Sequence, residues 1–425
     1  MKVVLAEKPS VGRDIAACLG CRTRHDGYFE GGGYQVTWTF GHLFTLKEPG
    51  DYDPTFKRWS LDTLPIVPRR FELTALKGKG IPKQIATIKR LFKAADEIIC
   101  ATDAGREGEL IFRRALQMSG CLKTPARRLW LSSLTDEAIR AAFKALKPLA
   151  EYDNLYSAAR CRSEADWIVG LNGTRNFTVR YGRDRDILWT VGRVQTPVLA
   201  MIVERDDTIR SFRPEPFWEV MTRYRDVQFR CTEGRLPDEA KADSILQRVV
   251  GHPFSITGVD AKERRQPPPL LHDLTELQRE MNRRYGISAA ATLKAAQSLY
   301  EAKLITYPRT DSRYLSNDLK PSVGKALEGL KAIKRAEIAK LDLGKLPYTR
   351  RIVNDAKVTD HHAIIPTGKS PGGWGSEAAK VFDAVLTRLI AVFYPACVKE
   401  ITTVDGVSNG VAFQAKGARV LDPGW

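Results

Sequence analysis

The sequence predicts a multidomain protein, α/β at its amino end with a parallel sheet, and α+β beyond it. Three observations lead there. Over residues 1–150 short apolar strands alternate with helices, the βα rhythm of a parallel sheet. Residues 151–215 read as helix, and from Phe217 to about Ile256 short alternating stretches such as WEVM at 218–221 suggest antiparallel strands. The length of 425 residues exceeds one ordinary core; at roughly 150 residues per domain it divides into two to four units.

Each element has its local signal. VVLA at 3–6 is a short buried strand, and Ser10 is the expected cap of a helix over 10–19 that Gly20 stops. IICA at 98–101 is a second such strand, followed by an acidic turn and a helix over 106–118. Ligand sites of parallel sheets lie at the carboxyl ends of the strands, and Glu7 and Asp103 both fall just past such ends. The helical stretch interleaves Arg160, Arg162, Arg175, Arg180, Arg183, Arg185 and Arg193 with Trp167, Phe177, Tyr181 and Trp189. That mixture suits a phosphate backbone with stacked bases, or a solvated helix face over core aromatics. PPP at 267–269 marks a stiff boundary, and helices are expected over 274–285 and 288–302, joined through Gly286. The dipeptide Tyr307-Pro308 forces an extended piece after them. The expected division is 1–150, 151–215, 216–272, 273–400 and 401–425.

Composition narrows the function. The hydrophobic fraction of 43% and charged fraction of 28% exclude a disordered chain. No run approaches the ~20 apolar residues of a spanning helix, and the first residues lack a signal peptide's apolar core, so the cytoplasm is the expected compartment. Sixty-seven Lys and Arg against fifty Asp and Glu leave a net charge of +17, which points to a polyanionic partner, nucleic acid before membrane. Seven scattered cysteines fit reduced thiols; Cys18 and Cys21 form a lone CxxC that no second pair completes as a metal site.

Three constellations carry chemistry. The first is acidic: Glu7-Lys8 at one strand end and DAGREGE at 103–109 at another. Such acids suit Mg²⁺, which takes one or two carboxylates, and Gly105 and Gly108 leave its approach open. Glu7 can alternatively exchange a proton with a leaving oxygen, while acids at a helix start also favour the helix dipole. The second is LITYPRTDS at 304–312. A tyrosine stiffened by the next proline, with a guanidinium two residues on, can attack a phosphodiester; the plain alternative is a strand tyrosine beside a surface arginine. The third is DHHAIIPT at 360–367, where a histidine can donate to a phosphate oxygen. It overlaps a false P-loop, AIIPTGKS at 363–370, which Pro366 interrupts and Pro371-Gly372-Gly373 follows in place of a helix.

Together these segments resemble the type IA DNA topoisomerase family, most closely its bacterial topoisomerase III branch. The resemblance runs in order through AEKPS at 6–10, ATDAGREGELIF at 101–112, DWIVGLN at 166–172, VGRVQTP at 191–197, LYE at 299–301 with the tyrosine segment, and HHAIIPT at 361–367. It implies an N-terminal Toprim domain, a nucleophile-bearing domain like the catabolite-activator DNA-binding fold, and further helical and β-arch domains around a central hole. On that resemblance Tyr307 takes the 5′ phosphate of a cleaved strand and releases a 3′ hydroxyl. Glu7 is the acid near the scissile phosphate, Lys8 and Arg309 stabilise the phosphate, and His361 assists cleavage. Glu7, Asp103 and Glu107 hold Mg²⁺, and Arg193, Gln195, Arg175 and Arg162 contact DNA. Many relatives carry a third acid where this chain has Gly105, which implies altered metal coordination. The family also continues past Trp425 to complete its arch, so a C-terminally truncated or incomplete chain is expected.

The implied activity is ATP-independent, Mg²⁺-dependent cleavage, passage and resealing of one strand by a monomer. The implied substrate is the single-stranded segments of negatively supercoiled or catenated DNA in a bacterial cytoplasm, near nucleoid or plasmid. A Toprim nuclease or primase would share the acids without needing Tyr307. A non-catalytic single-stranded-DNA-binding fragment is the other alternative.

Overall fold

A computed structural model describes residues 1–132, 134–182, 187–358, 361–372 and 377–425. Arg183, Arg185, Asp360 and Gly373 lie outside the described residues. The strand Lys2–Ala6 is the middle of a seven-stranded sheet. It pairs in parallel with Tyr34–Trp38 on one side and Glu97–Ala101 on the other, with Ala6 opposite both Trp38 and Ala101. Ala126–Arg128 extends the parallel part, and antiparallel strands close both edges. Because side chains alternate along a strand, Val4, Ala6, Ile99 and Ala101 face one core with Val11 and Ile15 of the helix Pro9–Leu19. Val3, Leu5, Ile98 and Cys100 face the other, under Ile88, Phe92 and Phe112 of the helices Ile81–Lys93 and Arg106–Ser119. Burial on both faces is why these strands are continuous apolar runs.

The first helix starts at Pro9 rather than after Ser10, and Ser10 does not cap it. Pro9 takes the first position, Lys8 sits extended at the cap, and no side chain caps the end. Proline has no N–H to satisfy and forces the residue before it out of helical geometry. Gly20, at φ +74°, ends the helix as expected.

The helical stretch resolves into Asp153–Tyr181 and Gln195–Arg210. Its aromatics divide between the two readings. Trp167 is structural: its Nε1–H donates to Lys47 O at 3.1 Å, and Tyr52 and Phe71 pack edge-on against it. Phe177, Tyr181 and Trp189 are exposed.

A five-stranded antiparallel sheet follows, ordered Met221–Tyr224, Val227–Cys231, Val411–Asp422, Cys397–Ser408 and Ser255–Gln266. The stretch expected to be all strand contains the helix Glu239–Val249. Asp238 caps it, and Ala242 and Ile245, three apart, bury against Phe229 and Phe413. The boundary expected at 400/401 falls inside the strand that begins at Cys397.

After Gln266 the proline stretch is clamped onto the next unit. Arg351 donates to Pro268 O at 3.1 Å, Arg388 to Leu270 O at 2.8 Å and Arg313 to Leu271 O at 3.0 Å. The helices Leu274–Tyr285 and Ala289–Glu301 flank Gly286 (φ +67°), capped by Asp273 and Ser288, and pack with Glu377–Ala391. Their core is continuous with one face of the parallel sheet. Inside it Glu280 meets His272 at 2.9 Å, Arg284 at 2.9 Å, and Arg388. Burial alone would raise this carboxyl, but the hydrogen bond from His272 and the two guanidinium groups hold it at about 2. Removing one member of such a network strands the others. Glu280→Ala is therefore expected to lower stability by about 3–5 kcal/mol, read from the urea midpoint.

Candidate active site

The rim of the parallel sheet is built by register. With Ala6 opposite Ala101, the chain leaves both strands together, and the Asp103 N–H donates to Glu7 Oε2 at 3.0 Å. A fully buried guanidinium shapes the turn from below. Arg128 donates to Thr102 O at 2.9 Å and Asp103 O at 2.7 Å, and also to Cys100 O and Sγ. Its Nε lies 3.4 Å from Glu109 Oε2, and its plane lies over Trp130 at 5.2 Å. Glu109 is fully buried as well and binds Arg113 at 2.8 Å. Thr102 Oγ1 donates to Gly108 O at 2.7 Å, and a Cβ on Gly108 would lie 2.0 Å from Asp103 O, so only glycine lets the helix start this close. Gly105 faces open space, as the sequence suggests. Arg128, Thr102 and Trp130 were not singled out from sequence; the available signal was an arginine pair leading into an apolar LWL run at 126–131.

Two carboxyls this close raise each other's proton affinity. Burial, then Asp103, pushes Glu7 up to about 7. Burial also raises Asp103, against the pull of Lys8 and Arg309. Glu107 stands apart from them. It is exposed and turned to His42 Nε2 at 3.3 Å and Arg162 at 3.8 Å, and the His42 hydrogen bond lowers its carboxyl. Among the described residues no three His, Cys, Asp or Glu side chains are gathered as a metal cluster. Of the expected set of Glu7, Asp103 and Glu107, the structure brings Glu7 and Asp103 together, while Glu107 on the first turn of its helix faces His42 and Arg162. Glu7 and Asp103, with charge to spare and open space at Gly105, fit the one or two carboxylates that Mg²⁺ takes from protein.

Across from this rim stands Tyr307, brought there by the helical unit. Thr306 N–H donates to Ile365 O at 2.9 Å within that unit, and Tyr307 N–H crosses to Ser132 O at 3.2 Å. The phenol donates to Asp103 Oδ2 at 3.4 Å, and the residue is only 8% exposed. Burial, then Asp103, pushes its pKa well up; the Arg309 guanidinium pulls it down. Arg309 itself is exposed. The ring meets His361 at 4.4 Å and Tyr300 edge-on at 5.3 Å. His361 is held by Ala104 O at Nε2 and Ser132 Oγ at Nδ1 (3.2 Å), and burial lowers it to about 4. Near neutral pH it is therefore uncharged. Its Nε2–H faces the carbonyl, a tautomer assigned from these partners. His362 is buried and bonds Ala363 O. Lys8 reaches Glu301 at 2.9 Å.

The structure thus gathers Tyr307, Glu7, Asp103, Lys8, Arg309 and His361. Beside them runs a groove of about 380 Å³ lined by His42, Glu107, Arg114, Arg162 and Asp166. Arg193 joins it through Asp166 at 2.6 Å, and Gln195 is exposed at the start of Gln195–Arg210. Arg175 does not join it. It is buried, donates to Phe56 O at 2.6 Å and lies over Trp59. In this structure it is a tether within the chain; at about 3.6 residues per turn, the 13-residue separation places it on a different face of the helix from Arg162. Of the CxxC, Cys21 donates to Gly31 O.

A parallel sheet carrying this acidic turn defines a Toprim-domain protein, and residues 2–134 match the Toprim domain model. The chain belongs to the DNA topoisomerase family, in its type IA class: residues 150–425 match the DNA topoisomerase model. It is 43% identical to DNA topoisomerase 3 of Shouchella clausii and 42% to that of Bacillus anthracis, each over 100% of this chain and 59% of the relative. It thus spans about three fifths of the length of these curated relatives. Full-length topoisomerase I of Thermotoga maritima shares the fold, with a TM-score of 0.70 and 21% identity, over 99% of this chain and 66% of that one.

Two outcomes are expected. Gly108→Ala forces the helix off Asp103 O, and about 3 kcal/mol should be lost in urea unfolding. The Glu7 carboxyl, followed by ¹³C NMR without metal, should titrate near 7 rather than at its ordinary 4.5. The folded state then holds this proton more tightly than the unfolded one. Stability should fall as pH rises between those two values, and Glu7→Gln should flatten that slope to the part that Asp103 contributes.

Proposed function

We propose that this chain carries the cleavage and resealing centre of a type IA topoisomerase. The observation behind this reading is the Tyr307 hydroxyl at Asp103, two groups 204 residues apart that meet across a unit boundary. The Tyr307 oxygen attacks a phosphodiester; the P–O3′ bond breaks; a 5′-phosphotyrosyl ester forms and a 3′ hydroxyl leaves. Deprotonation is the difficulty, because burial holds the phenol neutral. Asp103, which accepts its hydrogen bond, takes the phenol proton as the O–P bond forms, and Arg309 favours the phenolate and the charge growing on the phosphoryl oxygens. Glu7, at about 7, is half protonated near neutral pH and suited to give a proton to the leaving 3′ oxygen and to retrieve it on resealing. Lys8 lends positive charge beside it. Neutral His361 packs the tyrosine ring and keeps it aimed. Glu7 and Asp103 would hold Mg²⁺, which would supply charge neutralisation to the reacting phosphate.

Because the ester keeps the energy of the broken bond, resealing needs no nucleotide. Exposed Phe177, Tyr181 and Trp189, with Arg162, Arg193 and Gln195, suit single-stranded DNA, since aromatics stack bases while guanidiniums follow phosphates. We assign the parts as Toprim (1–150), helical DNA-binding (151–215), β-arch (216–272, returning from 397) and nucleophile domain (273–396). The working form is a monomer that relaxes or decatenates DNA in the bacterial cytoplasm. The test is incubation with an end-labelled single-stranded oligonucleotide and Mg²⁺. Protein-linked label through a 5′ phosphate is expected, and Tyr307→Phe should bind the strand with unchanged affinity and give none. Free cut strands without an adduct would instead identify a Toprim nuclease.

A further inference from the structure

Lys303 sits just past the helix Ala289–Glu301, four residues before Tyr307, at φ +61°. Glycine takes that left-handed geometry freely, whereas a side chain strains it. The backbone is pinned there from both sides. Its N–H donates to Tyr300 O at 2.9 Å, and its carbonyl accepts from Thr367 Oγ1 at 2.6 Å. What offsets the strain is the reach of the ammonium group. It crosses to Asp14 Oδ1 at 3.0 Å, on the helix Pro9–Leu19, and lies 3.7 Å from Asp136 Oδ1, at the head of Asp136–Lys144. One cation of the nucleophile unit is thus held between carboxylates from two helices of the Toprim unit. The lysine and Asp14 are only 20% and 25% exposed, so solvent and salt screen them less than an open surface pair.

The contacts at the reacting end of the same junction are weak or costly. The bonds from Tyr307 to Ser132 and Asp103 are 3.2 and 3.4 Å long, and docking buries two carboxyls that repel. An attraction placed outside the reacting cluster can hold the junction closed without adding charge to it. Its loss on opening leaves groups that water readily rehydrates, so the closure stays reversible.

We propose that Lys303, with Asp14 and Asp136, forms an ionic latch between the two units, a positioning residue that sets how often Tyr307 is held at the acidic rim. Its effect on cleavage rests on the proposed function; the latch itself does not. The test is hydrogen exchange by mass spectrometry on the full chain, read at the Tyr307 amide. Lys303→Gly and Asp14→Asn should each speed exchange there by about two- to fivefold at low salt, and the double variant should be no faster than the stronger single one. The difference should vanish near ~1 M salt, and Lys303→Arg should exchange as the parent does. Glycine relieves the backbone strain, so Lys303→Gly should melt no lower than the parent. Parent-like exchange in Lys303→Gly, or faster exchange spread through Leu274–Tyr285, overturns the latch. Adduct yield on the oligonucleotide should fall by the same factor, and an undiminished yield overturns the positioning role. A parent protein that forms no adduct defeats the functional reading, while the exchange data still judge the latch.

Discussion

The acidic rim depends on one guanidinium that never meets water. Arg128 has its two terminal nitrogens bonded to the carbonyls of Cys100, Thr102 and Asp103 and to the Cys100 sulfur, with Glu109 as the counter-charge beside Nε. A strand end is normally where a chain becomes free to wander. Here the backbone of residues 100–103 is tied to a rigid planar fork, with Glu109 beside its Nε and the Trp130 ring against its face. The Asp103 N–H is thereby aimed at Glu7, and its carboxyl at Tyr307. Desolvating Arg128 and Glu109 is expensive, and such a pair adds little to net stability. What it does secure is position: two acids that repel one another are kept within one hydrogen bond of each other.

That arrangement explains why the site is divided between two units. A tyrosine permanently held against an acidic rim by strong contacts would be well aimed but unable to move away. Tyr307 instead meets the rim through long hydrogen bonds and ring packing on His361 and Tyr300, with its own fold supplied by Thr306 and Ile365. The apolar core beneath joins the units on one face of the sheet, while Tyr307, Glu7 and Asp103 lie at its polar edge. The site therefore exists only when the units are docked.

Much of this was legible in the sequence because it is local. Buried strands show as VVLA and IICA, and the paired helices around Gly286 are marked by their caps and by glycine. Placing Glu7 and Asp103 on one rim needed only the rule that parallel strands end together. What escaped is what depends on partners far along the chain. The helix Glu239–Val249 was hidden because its buried face needs only Ala242 and Ile245, too few for a clear period. The five-stranded sheet closes by pairing Arg230 with Gln414, and no local pattern encodes that register. Arg162 and Arg175 look alike in sequence. The groove receives one, and the loop carrying Phe56 and Trp59 covers the other.

Glu107 makes the same point for charge. As letters, Asp103 and Glu107 are equal members of an acidic motif. In the fold, one is buried beside Glu7 and its proton affinity rises, while the other meets His42 and Arg162 and its proton affinity falls. The raised pair is suited to share a cation or a proton. The lowered one is already neutralised by its neighbours and, with Arg162, Asp166 and Arg193, forms an alternating row of charges along the groove. A guanidinium of this row that passed to a phosphate would leave its carboxylate, which is partly exposed, to water.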